Sequence, residues 1–199
     1  MDVEDYSLLD YSIMEHTPIT RSFAIEQAVL GFLIEGSAHG YELRRRLADG
    51  LGALWRIASS QLYNVLARLE AGGMIRSRRE QPKGRPARRV YTVTAKGKGA
   101  FWTWATSPVR HLRDVRVEFL AKIYFLRRLA PERIEPLILA ETCALESLVE
   151  RLTSRERIGS DDPRFGELAL SFRVNQLRGA IGWLRHLSGG PSTEAKEDR

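Results

Sequence analysis

The sequence predicts a mainly helical chain with one small β-hairpin, arranged in two parts. Three observations predict it. Three short helical patterns follow one another before residue 73. A basic hairpin pattern comes next, and beyond Pro108 only helical periodicity remains.

The elements follow in order. Residues 1–20 carry Asp2, Glu4, Asp5, Asp10 and Glu15 and no Lys or Arg, and read as an acidic extension. They lack the basic start and apolar run of a secretory signal. In 24–35, Ile25, Val29, Leu30, Leu33 and Ile34 share one helical face, and Gly36 stops the helix. Residues 39–51 form a second helix with Tyr41, Leu43 and Leu47 inward. Residues 58–73 form a third, with Leu62, Val65, Leu66 and Leu69 as its buried stripe. Ser59 or Ser60 caps its start, because a hydroxyl oxygen accepts from first-turn N–H groups.

Residues 88–94 alternate polar and apolar side chains and read as a strand, and 74–80 can form a second. The stretch between them holds Pro82, Gly84 and Pro86, which punctuate a chain rather than continue a helix. Thr94 caps a helix through about Thr106, in which Gly97 and Gly99 weaken the first turn. After Pro108, helical patterns cover about 115–130, 131–157 and 163–188. Pro131 suits a first helical position, but Pro136 is awkward unless that helix starts later. The last pattern is apolar on two sides: Phe165, Leu168, Ala169 and Phe172 on one, Leu170, Leu177, Ile181 and Leu184 on the other. A helix apolar nearly all round is buried between others, and here a second subunit is one source of cover. The tail 190–199 is polar and reads as disordered.

Charge narrows the function. The formal net charge is +6. Arg76, Arg78, Arg79, Lys83, Arg85, Arg88 and Arg89 face only Glu80 in their stretch, so the hairpin alone accounts for the whole excess. A cationic patch this concentrated implies an anionic partner, nucleic acid first and an anionic membrane surface second. No apolar run is long enough to span a bilayer, and a cytoplasmic protein is the expectation. Cys143 is the only cysteine, so no intrachain disulfide framework exists, and it reads as a buried, inert thiol. His16, His39, His111 and His186 have no metal-ligand spacing, and His39 reads as a capping or packing residue. Residues 96–100 lack the spacing of a phosphate loop, and Lys96 and Lys98 read as added phosphate contacts. Neither paired carboxylates, an activated nucleophile nor a cofactor loop is evident, so no catalytic residue and no cofactor is assigned and an enzyme is disfavoured.

Three short helices followed by a basic hairpin is the order of a winged helix-turn-helix. A third helix that begins with small polar residues can enter the DNA major groove by its N-terminal end. Ser59, Ser60, Gln61 and Asn64 supply donors and acceptors there, and Gln and Asn can pair an adenine edge with two hydrogen bonds. The hairpin tip would then meet phosphates or an adjacent minor groove.

Residues 30–43 (LGFLIEGSAHGYEL), 59–75 (SSQLYNVLARLEAGGMI) and 84–97 (GRPARRVYTVTAKG) resemble the DNA-binding domain of PadR-family transcriptional regulators. The match runs in order over about 23–105. The C-terminal helices resemble, more loosely, the helical dimerisation domain of the larger subfamily. The resemblance implies a homodimeric winged-helix regulator, commonly a repressor, on an inverted-repeat operator in double-stranded DNA. It implies DNA contact at Tyr41, Ser59, Ser60, Gln61, Tyr63, Asn64, Lys83, Gly84 and Arg85, and the cations Arg68 and Arg88 are added as candidates beside them. Ser60-Gln61 stands where many members have Pro-Gly, and Val93 where Leu is common. The first departure bears on base preference; the second is conservative. Some members sense aromatic compounds. Trp55, Phe101, Trp102 and Trp104 are the candidates for a pocket for a small-molecule effector, against a competing role as core or interface.

The implied organisation is an acidic extension (1–20), a winged helix (21–107), a helical dimerisation domain (108–189) and a tail (190–199). The alternative is a winged-helix module whose basic wing binds an acidic protein partner.

Overall fold

The computed structural model describes residues 18–54, 57–81, 88–109, 115–154 and 162–188, with side chains of 18–23 and 116 left aside. Within them lie seven α-helices and one small antiparallel sheet, mainly helical as the sequence predicts.

Helix α1 (Pro18–Glu35) begins earlier than its apolar pattern. It is the central helix: Ile25, Ala28, Val29, Leu30, Phe32 and Leu33 are all buried. Burying each large aliphatic or aromatic side chain here contributes about 1.5–3 kcal/mol. Strand β1 (Ala38–His39), helix α2 (Gly40–Leu51) and helix α3 (Ser59–Ala71) follow. Leu43, Leu47 and Leu51 of α2 and Leu62, Val65, Leu66 and Leu69 of α3 point into the core. Gly73 takes φ +68 just past α3, a conformation that glycine adopts without a Cβ penalty, and this turns the chain into the wing.

The wing is β2 (Ile75–Glu80) and β3 (Arg88–Val93), paired from Ile75↔Val93 to Glu80↔Arg88. β1 adds a third strand on the other side of β3, giving the order β1-β3-β2. This two-residue strand is too short for any pattern to announce. Ser37 and Thr92 hydroxyls at 2.9 Å, and His39 Nδ1 at 3.2 Å from the Arg89 carbonyl oxygen, support it. His39 is therefore a packing residue that steadies the wing.

Helix α4 (Ala95–Thr106) has the expected cap: Thr94 accepts from the Gly97 N–H. A Cβ at Gly97 would stand 2.1 Å from the Met74 carbonyl oxygen, so the glycine that weakens the helical pattern lets α4 start against the wing. A π-turn (Val115–Phe119) leads into α5 (Leu120–Leu129). A single 3-10 turn (Pro131–Arg133) then precedes α6 (Ile134–Thr153), and α7 (Pro163–Ser188) closes the described chain. Because α6 starts at Ile134, Pro136 falls in its first turn, where a missing N–H costs nothing.

The apolar core is continuous. Phe32 of α1 meets Phe125 and Tyr124 of α5 edge-on, with centroids at 5.0 and 5.9 Å. Further along, α6 and α7 pack together through Leu137, Ile138, Leu145, Leu177, Ile181 and Leu184.

One expectation is corrected. Cys143 is exposed, because the buried stripe of α6 (Leu137, Ile138, Glu141, Thr142, Leu145) turns it outward. Helix α7 buries one apolar side only: Phe165, Leu168 and Phe172 are 62%, 66% and 61% exposed in the single chain. No helix among the described residues is long and apolar enough to cross a membrane.

Candidate nucleic-acid interface

The buried stripe of α3 fixes which side chains it can offer outward. With Leu62, Val65, Leu66 and Leu69 inside, Ser59, Ser60, Tyr63 and Asn64 are exposed and Gln61 is half-buried. The residue capping α3 is Ala58, in extended conformation, rather than Ser59 or Ser60. The two serines occupy the first helical positions and make no cap bond, so their hydroxyls face solvent. First-turn N–H groups have no partner within a helix and suit an anion such as a phosphate.

Tyr41 is 65% exposed, not inward as the α2 pattern predicts, and Arg44 stacks over its ring at 5.5 Å. Gly40 brings α2 and α3 together. A Cβ there would lie 3.0 Å from the Tyr63 ring, so only glycine leaves that ring undisturbed. Tyr41 and the half-exposed Tyr63 thus flank the start of α3 from two helices. Arg68, in the last turn, donates through Nε to Glu26 Oε1 of α1 at 2.9 Å, which ties α3 to the central helix.

The wing carries the charge. Arg79 and Arg89 stand directly opposite each other across β2 and β3. Like charges in that position destabilise a strand pair unless an anion relieves them. With Ser77 and Arg88 they line a cleft of about 530 Å³. Arg88 is exposed at the start of β3, while Lys83, Gly84 and Arg85 lie outside the described residues. Arg79 and Arg89 are absent from the sequence-derived contact set. Only the strand register shows that they form one site, and register was not legible from composition.

Lys96 is occupied differently from its expected phosphate role. Its Nζ donates to the Gly72 carbonyl oxygen at 2.9 Å, serving the C-terminal end of α3 where cations are favoured.

The aromatic candidates divide. Phe101 and Trp104 are buried, and Phe101 packs edge-on to Phe125 at 5.5 Å. Trp102 is half-buried beneath Arg133, and Trp55 lies outside the described residues. Trp104 Nε1 donates to Glu118 Oε1 at 2.8 Å. The described members of the set are packed on protein neighbours.

Behind them sits a buried polar joint. Lys122 Nζ donates to the Ser107 carbonyl oxygen at 2.8 Å and pairs with Glu118 at 3.0 Å. Glu141 Oε2 accepts from the Val109 N–H at 2.7 Å, and its Oε1 has no hydrogen-bond partner among the described residues. Burial pushes the Glu141 carboxyl above its ordinary value, partly offset by the Val109 bond and the nearby Lys122 charge. Among the described residues no cluster of metal-ligating side chains occurs.

Residues 29–102 match the transcriptional regulator PadR-like family. The matched residues carry a domain of this family. Its members are transcriptional regulators, not enzymes. The negative transcriptional regulator PadR of Bacillus subtilis is 27% identical over 175 residues, covering 82% of this chain and 94% of that one. The Mycobacterium tuberculosis transcriptional regulator Rv1176c is 30% identical over 93 residues, covering 47% of this chain and 49% of its own. Among solved structures, B. subtilis PadR in complex with operator DNA aligns at TM-score 0.43 and 24% identity, over 82% of this chain and 97% of its own. The smu.1604c protein of Streptococcus mutans aligns at TM-score 0.41 and 23% identity, over 82% and 98%. The PadR-like match spans α2, α3, the wing and most of α4, the same elements that present the exposed serines, tyrosines and arginines.

Proposed function

We propose that this PadR-like regulator is a repressor that binds an inverted-repeat operator as a homodimer. The N-terminal end of α3 reads base edges in the major groove through Gln61 and Asn64, with Ser59, Ser60, Tyr63 and Tyr41 around it. The wing holds the backbone through Arg79, Arg88 and Arg89, and through Lys83, Gly84 and Arg85 at its tip. The division of labour falls near residue 108, with DNA binding before it and subunit pairing after it.

The observation that carries the reading is the Arg79–Arg89 pair. A strand pair that opposes two guanidinium groups is built at a cost to its own stability, which Glu70 offsets in part at Arg89 and a phosphate would offset further. The exposed polar start of α3 on the same part of the molecule supports base reading. Repression is supported by the word negative in the name of the B. subtilis relative, which this chain matches over nearly the whole of that protein's length. Pairing is supported by the exposed apolar face of α7. In a dimer, the separation of two recognition helices must match about one DNA turn, ~34 Å. An effector molecule that altered this separation would release DNA without touching a contact residue.

The deciding experiment is fluorescence anisotropy on duplex DNA from upstream of the protein's own gene, beside a scrambled duplex, at low and physiological salt. Preference for the first duplex that survives physiological salt is the expected result. Equal binding that vanishes with salt would leave a basic patch alone and turn the search to an acidic protein partner.

A further inference from the structure

We propose that Glu70 is a positioning residue for the DNA-binding surface, joining the last turn of α3 to both strands of the wing. This rests on the DNA reading above and gives Glu70 a role that reading does not. Ser77 Oγ, on β2, donates to Glu70 Oε1 at 2.5 Å. Arg89 Nη1, on β3, donates to Glu70 Oε2 at 3.4 Å. One carboxylate therefore spans three elements.

Two physical arguments give it this role. The first is mechanical. The base of the wing is already tied: Met74 N–H donates to Leu69 O at 2.9 Å, Thr94 N–H to Met74 O at 2.9 Å, and Thr94 Oγ1 to Gly73 O at 2.8 Å. A hairpin held only at its base can pivot. Ser77 and Arg89 lie further out, and a second attachment there fixes the angle between the wing and α3. The spacing between groove-reading helix and phosphate-holding cations depends on that angle.

The second argument is electrostatic. A carboxylate beside a phosphate-binding cleft repels what the cleft attracts. Charge alone gives Glu70 the wrong sign for this surface, so the contacts it makes must outweigh the repulsion. It also places a negative charge 3.4 Å from the Arg89 guanidinium, easing the cross-strand repulsion. Its ion pair with Arg89 is exposed, and exposed pairs add little stability, so its effect falls on geometry rather than on folding.

The two effects predict opposite signs, which makes the test direct. Glu70→Ala, Glu70→Gln and Ser77→Ala are compared with the wild type by anisotropy on the preferred and scrambled duplexes at physiological salt, with a thermal melt of each. Glu70→Ala is expected to bind the preferred duplex about fivefold more weakly, although it removes a negative charge, and to melt with the wild type. Glu70→Gln, which keeps an oxygen for Ser77, falls between the two. Adding Ser77→Ala to Glu70→Ala brings no further loss. Binding by Glu70→Ala that equals or exceeds the wild type would overturn the proposal, leaving only the charge. So would a loss that follows a lowered melting temperature and is not restored by Gln. A wild type that holds both duplexes equally removes the DNA reading itself, an outcome visible before any variant is compared.

Discussion

Glu35, the last residue of α1, and Arg128, near the end of α5, meet across 93 positions of sequence in a two-pronged ion pair. Arg128 Nε donates to Glu35 Oε1 at 2.5 Å and Nη2 to Oε2 at 3.2 Å. The same guanidinium lies 5.5 Å over the Tyr124 ring. The pair sits at the rim of the apolar joint made by Phe32, Tyr124 and Phe125, where α1 of the winged helix packs on the first of the later helices.

Magnitudes decide which part of that joint matters. Arg128 is about half exposed, and an exposed pair is worth about 1 kcal/mol or less. Phe125 is fully buried, and truncating such a ring to Ala typically costs about 3–5 kcal/mol. Arg128→Met is therefore expected to shift the urea midpoint slightly, and less so at high salt, where exposed charges are screened. Phe125→Ala is expected to shift it severely at any salt. Equal effects would mean that the ion pair, not the apolar joint, holds α5 to α1.

Glu141 gives the fold a pH dependence. Its folded pKa lies above that of an ordinary glutamate, chiefly because burial disfavours the charged form. The groups facing it are the Val109 N–H, Lys122 and Glu118. The folded chain thus holds this proton more tightly than the unfolded chain. Stability from this group is fully present below the unfolded pKa and is lost as pH rises through the folded one. Glu141→Gln removes that titration. The difference in urea midpoint, variant minus wild type, is expected to grow in the variant's favour from pH 4 to pH 8. A difference constant with pH would show that the carboxyl is not the titrating group.

Arg79 separates folding from function by sign. Arg79→Gln removes half of the like-charge cross-strand pair with Arg89. The hairpin is expected to gain about 0.2–1 kcal/mol, the usual range for such pairs. If the wing holds phosphates as proposed, the same change removes one such contact, so binding is expected to weaken on all sequences and the slope of log affinity against log salt to drop by about 1. A chemical melt and an anisotropy series at four salt concentrations measure both. Loss of stability together with loss of binding would mean that Arg79 makes a structural contact within the protein.

Much of the fold was legible because its helices advertise themselves by period. Leu62, Val65, Leu66 and Leu69 repeat at helical spacing and are buried together, and Thr94 announces its cap three residues ahead of Gly97. The polar start of α3 could be read for the same reason: once the buried stripe is fixed, the outward residues follow. Strand β1 could not be read, because two residues carry no period. Nor could the Arg79–Arg89 pair or the three-way bridge at Glu70, which exist only through strand register and the angle of the wing. Tyr41 misled because an aromatic ring at an apolar position fits a core as well as a surface. Cys143 misled because its neighbours Thr142 and Ala144 are small and suit a core, while the stripe of α6 turns it out.

The last prediction concerns α7. Phe165, Leu168 and Phe172 share one exposed face at spacings of three and four, while Val174, Leu177, Ile181 and Leu184 are buried. Three large apolar side chains in a row are costly to leave in water, and a second copy of the same face can cover them by two-fold symmetry. Phe172→Glu places a charge in the middle of the row. Because Phe172 is largely exposed in the single chain, the helical content is expected to be unchanged, and light scattering is expected to read half the wild-type mass. On DNA, the variant should lose far more affinity for a duplex with two half-sites than for one with a single half-site, because the second contact is no longer tethered to the first. Wild-type mass retained by Phe172→Glu would move the pairing surface elsewhere on the chain. Equal losses on both duplexes would mean that each winged helix binds on its own.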